Sequence, residues 1–258
     1  MATVNLVEIF SSVQGEGLHV GASTLFLRFG GCDLRCGWCD SPHTWNPAGQ
    51  CRLEQTPGSA VFRSVANPVP LEAAVAAAEA LGLVRHRFAS LTGGEPLLQP
   101  EAVRTLGEAL RARGPLLHLE THGIAAEALE TVIDVVDVVS MDWKLGSDVR
   151  RKGRRARRVD ESFHDEHERF LRVAKRAPQV VVKVVVSPSS REEELDEMAR
   201  RVAGVDPNLP VVIQPVTPFG SVAATPGAQQ LLGWTARLQA ELHDVRLIPQ
   251  THKLLGAL

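Results

Sequence analysis

Cysteine is missing from almost the whole chain: Cys32, Cys36, Cys39 and Cys51 are the only four, all in one short segment. A secreted disulfide fold spreads its cysteines to staple distant elements, and bridges at these spacings would close only tiny loops. Long apolar runs are lacking too. The most apolar stretch, 180–186, is short and carries Lys183, far below the roughly 20 residues a membrane helix needs. The first ten residues hold an acid, Glu8, and no basic run, so no secretory signal is expected and a cytoplasmic protein is. No sign of charge dominates. Thirty acidic against 28 basic side chains leave a formal charge of -2, which offers no global polycation to nucleic acid or membrane. Gly/Ser-rich linkers and internal repeats are absent as well. Disorder, collagen, transmembrane and disulfide-scaffold classes are excluded. What remains is 258 residues, 44% hydrophobic and 22% charged, an ordinary globular composition with enough chain for a sizeable core.

After the cysteine segment the pattern turns regular. β-branched or short apolar runs at 88–92, 116–121, 135–142, 180–186, 211–216 and 245–249 predict strands, as does 24–29 just before the cysteines. Helix-like stretches lie between them at 71–81, 101–113, 125–133, 166–176, 192–202 and 229–242. Ser190 followed by Glu193 reads as a capping box opening one of these. Such alternation means βα units, a parallel sheet and right-handed crossovers, and seven strands suit one open or partial α/β barrel. In parallel barrels chemistry gathers at the C-terminal strand ends. Attention therefore falls on Thr92-Gly93-Gly94-Glu95-Pro96, Glu120-Thr121-His122-Gly123, 140–144 and 214–217.

One segment breaks the alternation. In 150–158, seven residues of nine are basic, and acids follow at Asp160, Glu161, Asp165, Glu166 and Glu168. No aromatic stacking residues interleave the arginines, so a solvated, self-neutralising insertion at about 147–168 is expected rather than a nucleic-acid patch.

Cys32, Cys36 and Cys39 form a Cys-x3-Cys-x2-Cys motif. Thiolates are soft ligands for iron–sulfur clusters, zinc or Cu(I). A structural zinc site wants four protein ligands, and His43 or Cys51 could complete one. A four-iron cluster held by three cysteines instead keeps one iron open for another ligand. Cys51 otherwise reads as a small packed residue.

Three cysteines at this spacing after an early strand resemble the radical S-adenosylmethionine (SAM) superfamily, whose fold is a full or partial parallel barrel. Gly93-Gly94-Glu95-Pro96 is similar to its glycine-rich SAM motif, with glycines allowing close backbone approach and Glu95 accepting from the SAM ammonium. A finer likeness runs along the chain. Glu8-Ile9-Phe10, Val13-Gln14-Gly15-Glu16-Gly17, Arg28-Phe29-Gly30-Gly31-Cys32, Glu120-Thr121, Gln214-Pro215 and Gln250-Thr251-His252-Lys253 resemble the 7-carboxy-7-deazaguanine synthase family, in that order.

That resemblance implies a single radical SAM domain with a [4Fe–4S] cluster, SAM and Mg2+. The implied reaction converts 6-carboxy-5,6,7,8-tetrahydropterin to 7-carboxy-7-deazaguanine with release of ammonia, on the way to queuosine-type bases. A radical from reduced SAM would start it. An electron donor such as flavodoxin or ferredoxin and a homodimeric state are implied too. By the same resemblance Cys32, Cys36 and Cys39 hold the cluster. Trp38, Cys39, Asp40, Gly94, Ser140, Gln214, Pro215, Val216 and Thr217 fall at SAM contacts. Short family members read Ser-Pro-Lys where this chain has Ser140-Met141-Asp142-Trp143-Lys144, so Asp142 and Lys144 are both candidates. Val13, Gln14, Gly15, Arg28 and Thr92 fall at substrate contacts, with Glu16 offering acceptors to the pterin. The Mg2+ position, Thr in other members, is Ser41, which keeps a hard hydroxyl oxygen. The terminal residue, Leu258, is expected to reach the substrate. The rival readings are another radical SAM enzyme, such as a glycyl-radical activase, and a non-catalytic zinc module.

Overall fold

In the computed structural model, which describes residues 2–153, 162–220 and 222–257, the apolar runs assemble into one ten-stranded sheet. Its strands are β1 (Leu6–Val13), β2 (Ser23–Phe29), β3 (Gln50–Glu54), β4 (Phe62–Ala66), β5 (Phe88–Gly93), β6 (Leu116–Thr121), β7 (Val138–Asp142), β8 (Gln179–Val186), β9 (Val211–Pro215) and β10 (Val245–Leu247). They lie in the order β10-β9-β8-β7-β6-β5-β2-β1-β3-β4. Every neighbouring pair from β2 to β10 is parallel. The β1 strand runs antiparallel to β2, and β3 and β4 extend that edge. The two ends do not meet. This is an open α/β barrel.

Helices α1 (Leu71–Ala80), α2 (Pro100–Arg111), α3 (Ala126–Glu130), α4 (His164–Ala174), α5 (Glu192–Val205) and α6 (Ala228–Leu238) follow the strands. They pack because their apolar residues share one face. In α2 the buried set is Ala102, Val103, Leu106, Gly107 and Leu110, while Glu101 and Glu108 face out; this is helical spacing. Gly107 lets α2 sit close, since a Cβ there would lie 2.7 Å from Leu117. Strand β8 is buried on both faces, as a central parallel strand must be, and only Gln179 and Lys183 are part-exposed.

Several expectations are corrected. The β1 strand escaped the sequence pattern because Glu8 interrupts it; that carboxylate is buried by ion pairs with Arg28 and Arg52. The run 135–142 becomes a strand only at Val138, after a 3-10 turn at Ile133–Val135. The capping box does not form. Arg191 is the N-cap of α5 and makes no side-chain capping bond; Ser190 Oγ donates to Asp148 instead (2.9 Å). It is Glu194 that turns back, accepting from the Ser147 amide (3.0 Å). The start of the charged insertion, Val149–Arg151, pairs antiparallel with Leu34–Cys36, while 154–161 lie outside the described residues.

Candidate active site

Backbone geometry at two strand ends sets the floor of the site. Beyond β2 the chain runs through Gly30 and Gly31 into Cys32, and beyond β5 it turns at Gly93 and Gly94. A Cβ on Gly94 would lie 2.1 Å from the Gly31 carbonyl oxygen, and Gly93 has φ +118. Only glycine fits there. The two turns are tied by Gly94 N–H to Phe29 O (3.0 Å) and Glu95 N–H to Gly31 O (2.8 Å). The glycines therefore seat one loop on the other, which the motif alone did not reveal.

Glu95 departs from its expected role. It is fully buried and accepts from Leu97 N–H (2.9 Å), Thr121 Oγ1 (2.9 Å) and His122 N–H (2.8 Å). Its oxygens brace the turn, so no acceptor is aimed at a ligand.

The cysteine loop leans on neighbours at several points. Gly31 N–H donates to Thr44 O, Cys32 N–H to Trp45 O and Gly37 N–H to Asp148 O. Arg35 donates to the carbonyls of Cys32 and Leu34 and lies over the Trp45 ring at 4.7 Å. Burial pushes the Cys32 thiol up to about 11 and the Cys36 thiol up to about 12. Bare thiols there stay protonated at neutral pH, and only a metal draws the protons off. Cys51 sits apart, fully buried on β3 in the main core.

The C-terminal strand ends and the cysteine loop enclose a cavity of about 480 Å³. The sequence-predicted site residues border it, except three. Glu95 and Pro215 do not line it, Pro215 being buried at the end of β9. Leu258 lies outside the described residues.

Charge in this cavity is answered by charge. Lys183 pairs with Glu16 and reaches Asp142 at 3.6 Å. Burial opposes its ammonium, but the two carboxylates outweigh that and hold it protonated. Lys144 pairs with Asp142 (2.7 Å) and lies 4.6 Å over the Trp38 ring. The structure thus brings both Asp142 and Lys144 to the cavity, as one pair. Glu120 accepts from Gln14 Nε2 (2.8 Å), Ser90 Oγ (2.9 Å) and Thr92 Oγ1 (2.9 Å). Arg28 donates through Nε to Glu8 (2.8 Å).

A last helix, α7 (Thr251–Leu255), caps the mouth. Thr251 N–H donates to Gly15 O (2.9 Å). Gly15 must be glycine, for a Cβ would lie 2.1 Å from the His252 ring. Gln250 Nε2 donates to Glu16 (2.7 Å) and Asp40 (3.1 Å), and Lys253 pairs with Asp40 (3.0 Å). Burial works against the Asp40 carboxylate, yet Lys253 wins and lowers it to about 2. Sequence reading missed Lys183; its signal was a lone lysine inside the most apolar run.

The donor set fits an iron–sulfur cluster with SAM beside it. Three thiols border one end of the cavity, and four buried polar atoms of residues lining it have no hydrogen-bond partner among the described residues: Trp38 Nε1, His122 Nδ1, Asp142 Oδ1 and Gln214 Oε1. His122 Nδ1 lies 3.3 Å from Glu95; the other three, one donor and two acceptors, suit the amino-acid end of SAM.

Comparison with known proteins agrees. Residues 27–202 match the Radical SAM superfamily. The chain is 37% identical over 260 residues to a 7-carboxy-7-deazaguanine synthase of Geobacter sulfurreducens, covering 98% of this chain and 97% of that one. The chain belongs to the 7-carboxy-7-deazaguanine synthase family. A namesake from Methanocaldococcus jannaschii is 31% identical, with 97% and 99% covered. The crystal structure of QueE from Escherichia coli shares the fold, with a TM-score of 0.61 at 19% identity over 97% of this chain and 95% of that one. Family membership accounts for the three cysteines through a [4Fe–4S] cluster with SAM. It also leaves the zinc module and the glycyl-radical activase without support.

Proposed function

We propose that the enzyme is a radical SAM carbon–nitrogen lyase that converts 6-carboxy-5,6,7,8-tetrahydropterin to 7-carboxy-7-deazaguanine and ammonia. The observation that carries this reading is full-length family likeness converging on one cavity, bordered by three thiols at one end and a polar network at another. Cluster and SAM, when bound, supply the one-electron chemistry that starts the ring contraction.

The chain's own residues bind, orient and shield. Cys32, Cys36 and Cys39 would hold the cluster, three thiolates for four irons. Trp38, Asp40, Gly94, Ser140, Gln214, Val216, Thr217 and the Asp142–Lys144 pair contact SAM. Arg28 supplies a planar fork for the pterin carboxylate. Val13, Gln14, Gly15, Glu16 and Thr92 frame the pterin, and Glu120 fixes how Gln14 and Thr92 present their polar atoms. Ser41 Oγ, which donates to Asp40 (3.1 Å), offers Mg2+ its oxygen beside that carboxylate. Glu16, Asp40 and His252 bring further ligand atoms within 4.8 Å of one another. Lys183 holds its proton against burial and, paired with Glu16, favours that carboxylate's ionised form.

The reading includes a single domain with its charged insertion at about 147–168, a homodimer in the cytoplasm and an external electron donor. Among the described residues no helix is long and apolar enough to cross a membrane. The test is anaerobic incubation of reconstituted protein with SAM, reductant and the carboxypterin, followed by mass spectrometry for the deazaguanine. Reductive SAM cleavage that leaves the pterin unchanged would overturn the proposal.

A further inference from the structure

Four side chains stand in a row across neighbouring strands. Arg52 on β3 is the register partner of Glu8 on β1, Glu8 of Arg28 on β2, and Arg28 of Thr92 on β5. Arg28 and Thr92 line the main cavity; Glu8 and Arg52 do not. Glu8 is buried and divides its carboxylate. Oε1 accepts from Arg28 Nε (2.8 Å), while Oε2 pairs with Arg52 Nη2. Burial opposes that charge, but Arg28 and Arg52 together hold Glu8 below its ordinary carboxylate range. Arg52 is steadied from outside, lying 4.4 Å over the Phe62 ring of β4. Two residues along the same two strands, and so on the same face, Phe10 stacks on Phe26 with ring centroids 5.1 Å apart. The Arg28 guanidinium lies over that Phe10 ring at 5.3 Å. It is therefore held at its Nε and on its face. Its Nη1 and Nη2 have no hydrogen-bond partner among the described residues.

We propose that Glu8, with Arg52 holding its second oxygen, is a positioning residue that presents the Nη1–Nη2 edge of Arg28 to the carboxylate of the pterin. The inference rests on the pterin reading above and explains how that carboxylate is selected. A guanidinium offers a carboxylate two edges of paired N–H donors, one containing Nε and one formed by the two Nη nitrogens. Glu8 takes Nε and so removes the first. Arg52 guards the second: with both oxygens free, Glu8 would grip Nε and one Nη together and halve the edge left for a ligand. One carboxylate between two guanidiniums also leaves a positive charge unanswered within the row, and an anionic substrate supplies its partner. An arginine aimed in advance loses less freedom when that substrate binds.

The experiment uses reconstituted enzyme with SAM and no reductant, and equilibrium dialysis of two probes, 6-carboxypterin and 6-hydroxymethylpterin. The ratio of their Kd values measures selection of the carboxylate, which a general loss of stability would not move. Glu8→Met should raise the Kd of 6-carboxypterin roughly tenfold and leave that of 6-hydroxymethylpterin unchanged. Glu8→Gln, which keeps an acceptor for Nε, should recover most of the preference. Arg52→Gln, at a half-exposed position outside the cavity, should raise the 6-carboxypterin Kd a few-fold. That variant decides the matter should Glu8→Met fail to fold. Equal weakening of both probes would make Glu8 a purely structural residue, and tighter 6-carboxypterin binding by Glu8→Met would make it a competitor for Arg28; either result overturns the inference. So does an Arg52→Gln protein with the wild-type ratio. A wild-type preference for 6-carboxypterin that no variant alters removes the inference and keeps the proposed substrate, whereas a wild-type protein that binds neither probe removes both.

Discussion

Along the sheet wall of the active-site cavity, Lys183 meets Glu16 and Asp142, and Glu120 takes donors from Gln14, Ser90 and Thr92. The loop wall contrasts with it. It carries Cys32 and Cys36, whose burial drives them toward the neutral thiol, and a Trp38 Nε1 with no partner among the described residues. The sheet wall pairs its charges before any ligand arrives and leaves only Asp142 Oδ1 and Gln214 Oε1 open among its described residues, whereas the loop wall is finished by what it binds. The difference follows from the backbone: parallel strands hold their side chains in register through the ladder, while an irregular loop depends on a few tertiary bonds.

The sharpest way to break this contrast is at the loop. Cys36→Ala should abolish cluster assembly and turnover, whereas Cys51→Ala, in the core of another strand, should keep iron content and turnover near wild type. Equal iron loss from Cys51→Ala would mean that the donor set is misassigned. Removing iron with a chelator should speed hydrogen exchange at the Cys32 and Gly37 amides and leave the β5–β9 amides protected.

Next in size is the sheet wall itself. Lys183→Met strips the cation from a buried pair and should lower stability by about 3 kcal/mol in chemical denaturation. Adding Glu16→Gln should recover part of that loss, because one stranded charge is then removed. A double variant no more stable than the single would show that the pair is not coupled.

Smaller again is a pH effect behind the same wall. Burial lowers His118 to about 4, while an unfolded chain takes its proton near 6.5. The unfolded state binds more protons in between, so this contribution is full above about pH 6.5 and is lost as pH falls toward about 4. His118→Gln should flatten the decline by roughly 3 kcal/mol. His167, also pushed down by burial, should supply much of the slope that remains.

The smallest expected effect lies at Ser41, where the walls meet. Ser41→Ala should weaken the stimulation of turnover by Mg2+ a few-fold, with SAM cleavage in the absence of pterin little changed. Identical rates in Mg2+ and in EDTA for the wild type would remove the metal from this site.

Local chemistry made the ligands and the layer order legible in the sequence. The spacing of Cys32, Cys36 and Cys39 stays within one loop, and the βα alternation from β5 onward repeats a single pattern of burial. Glycines 93 and 94 were placed at a strand end correctly, but the reason for them, the approach of Gly31, spans two loops. Glu95 and Glu120 show the limit best. Both are acids at the ends of neighbouring strands, and nothing in their flanking residues says that one braces a turn while the other organises the cavity. That choice depends on which face of the sheet each occupies once the strands are paired. The pairing of Lys183 with Glu16 joins residues 167 positions apart, and the Arg35–Arg150 pairing joins the cysteine loop to the insertion. Sequence determined which groups were present and in what order along the sheet. Only the folded chain decided which charges would meet, because ion pairing acts over a few ångströms in space and is blind to distance along the chain.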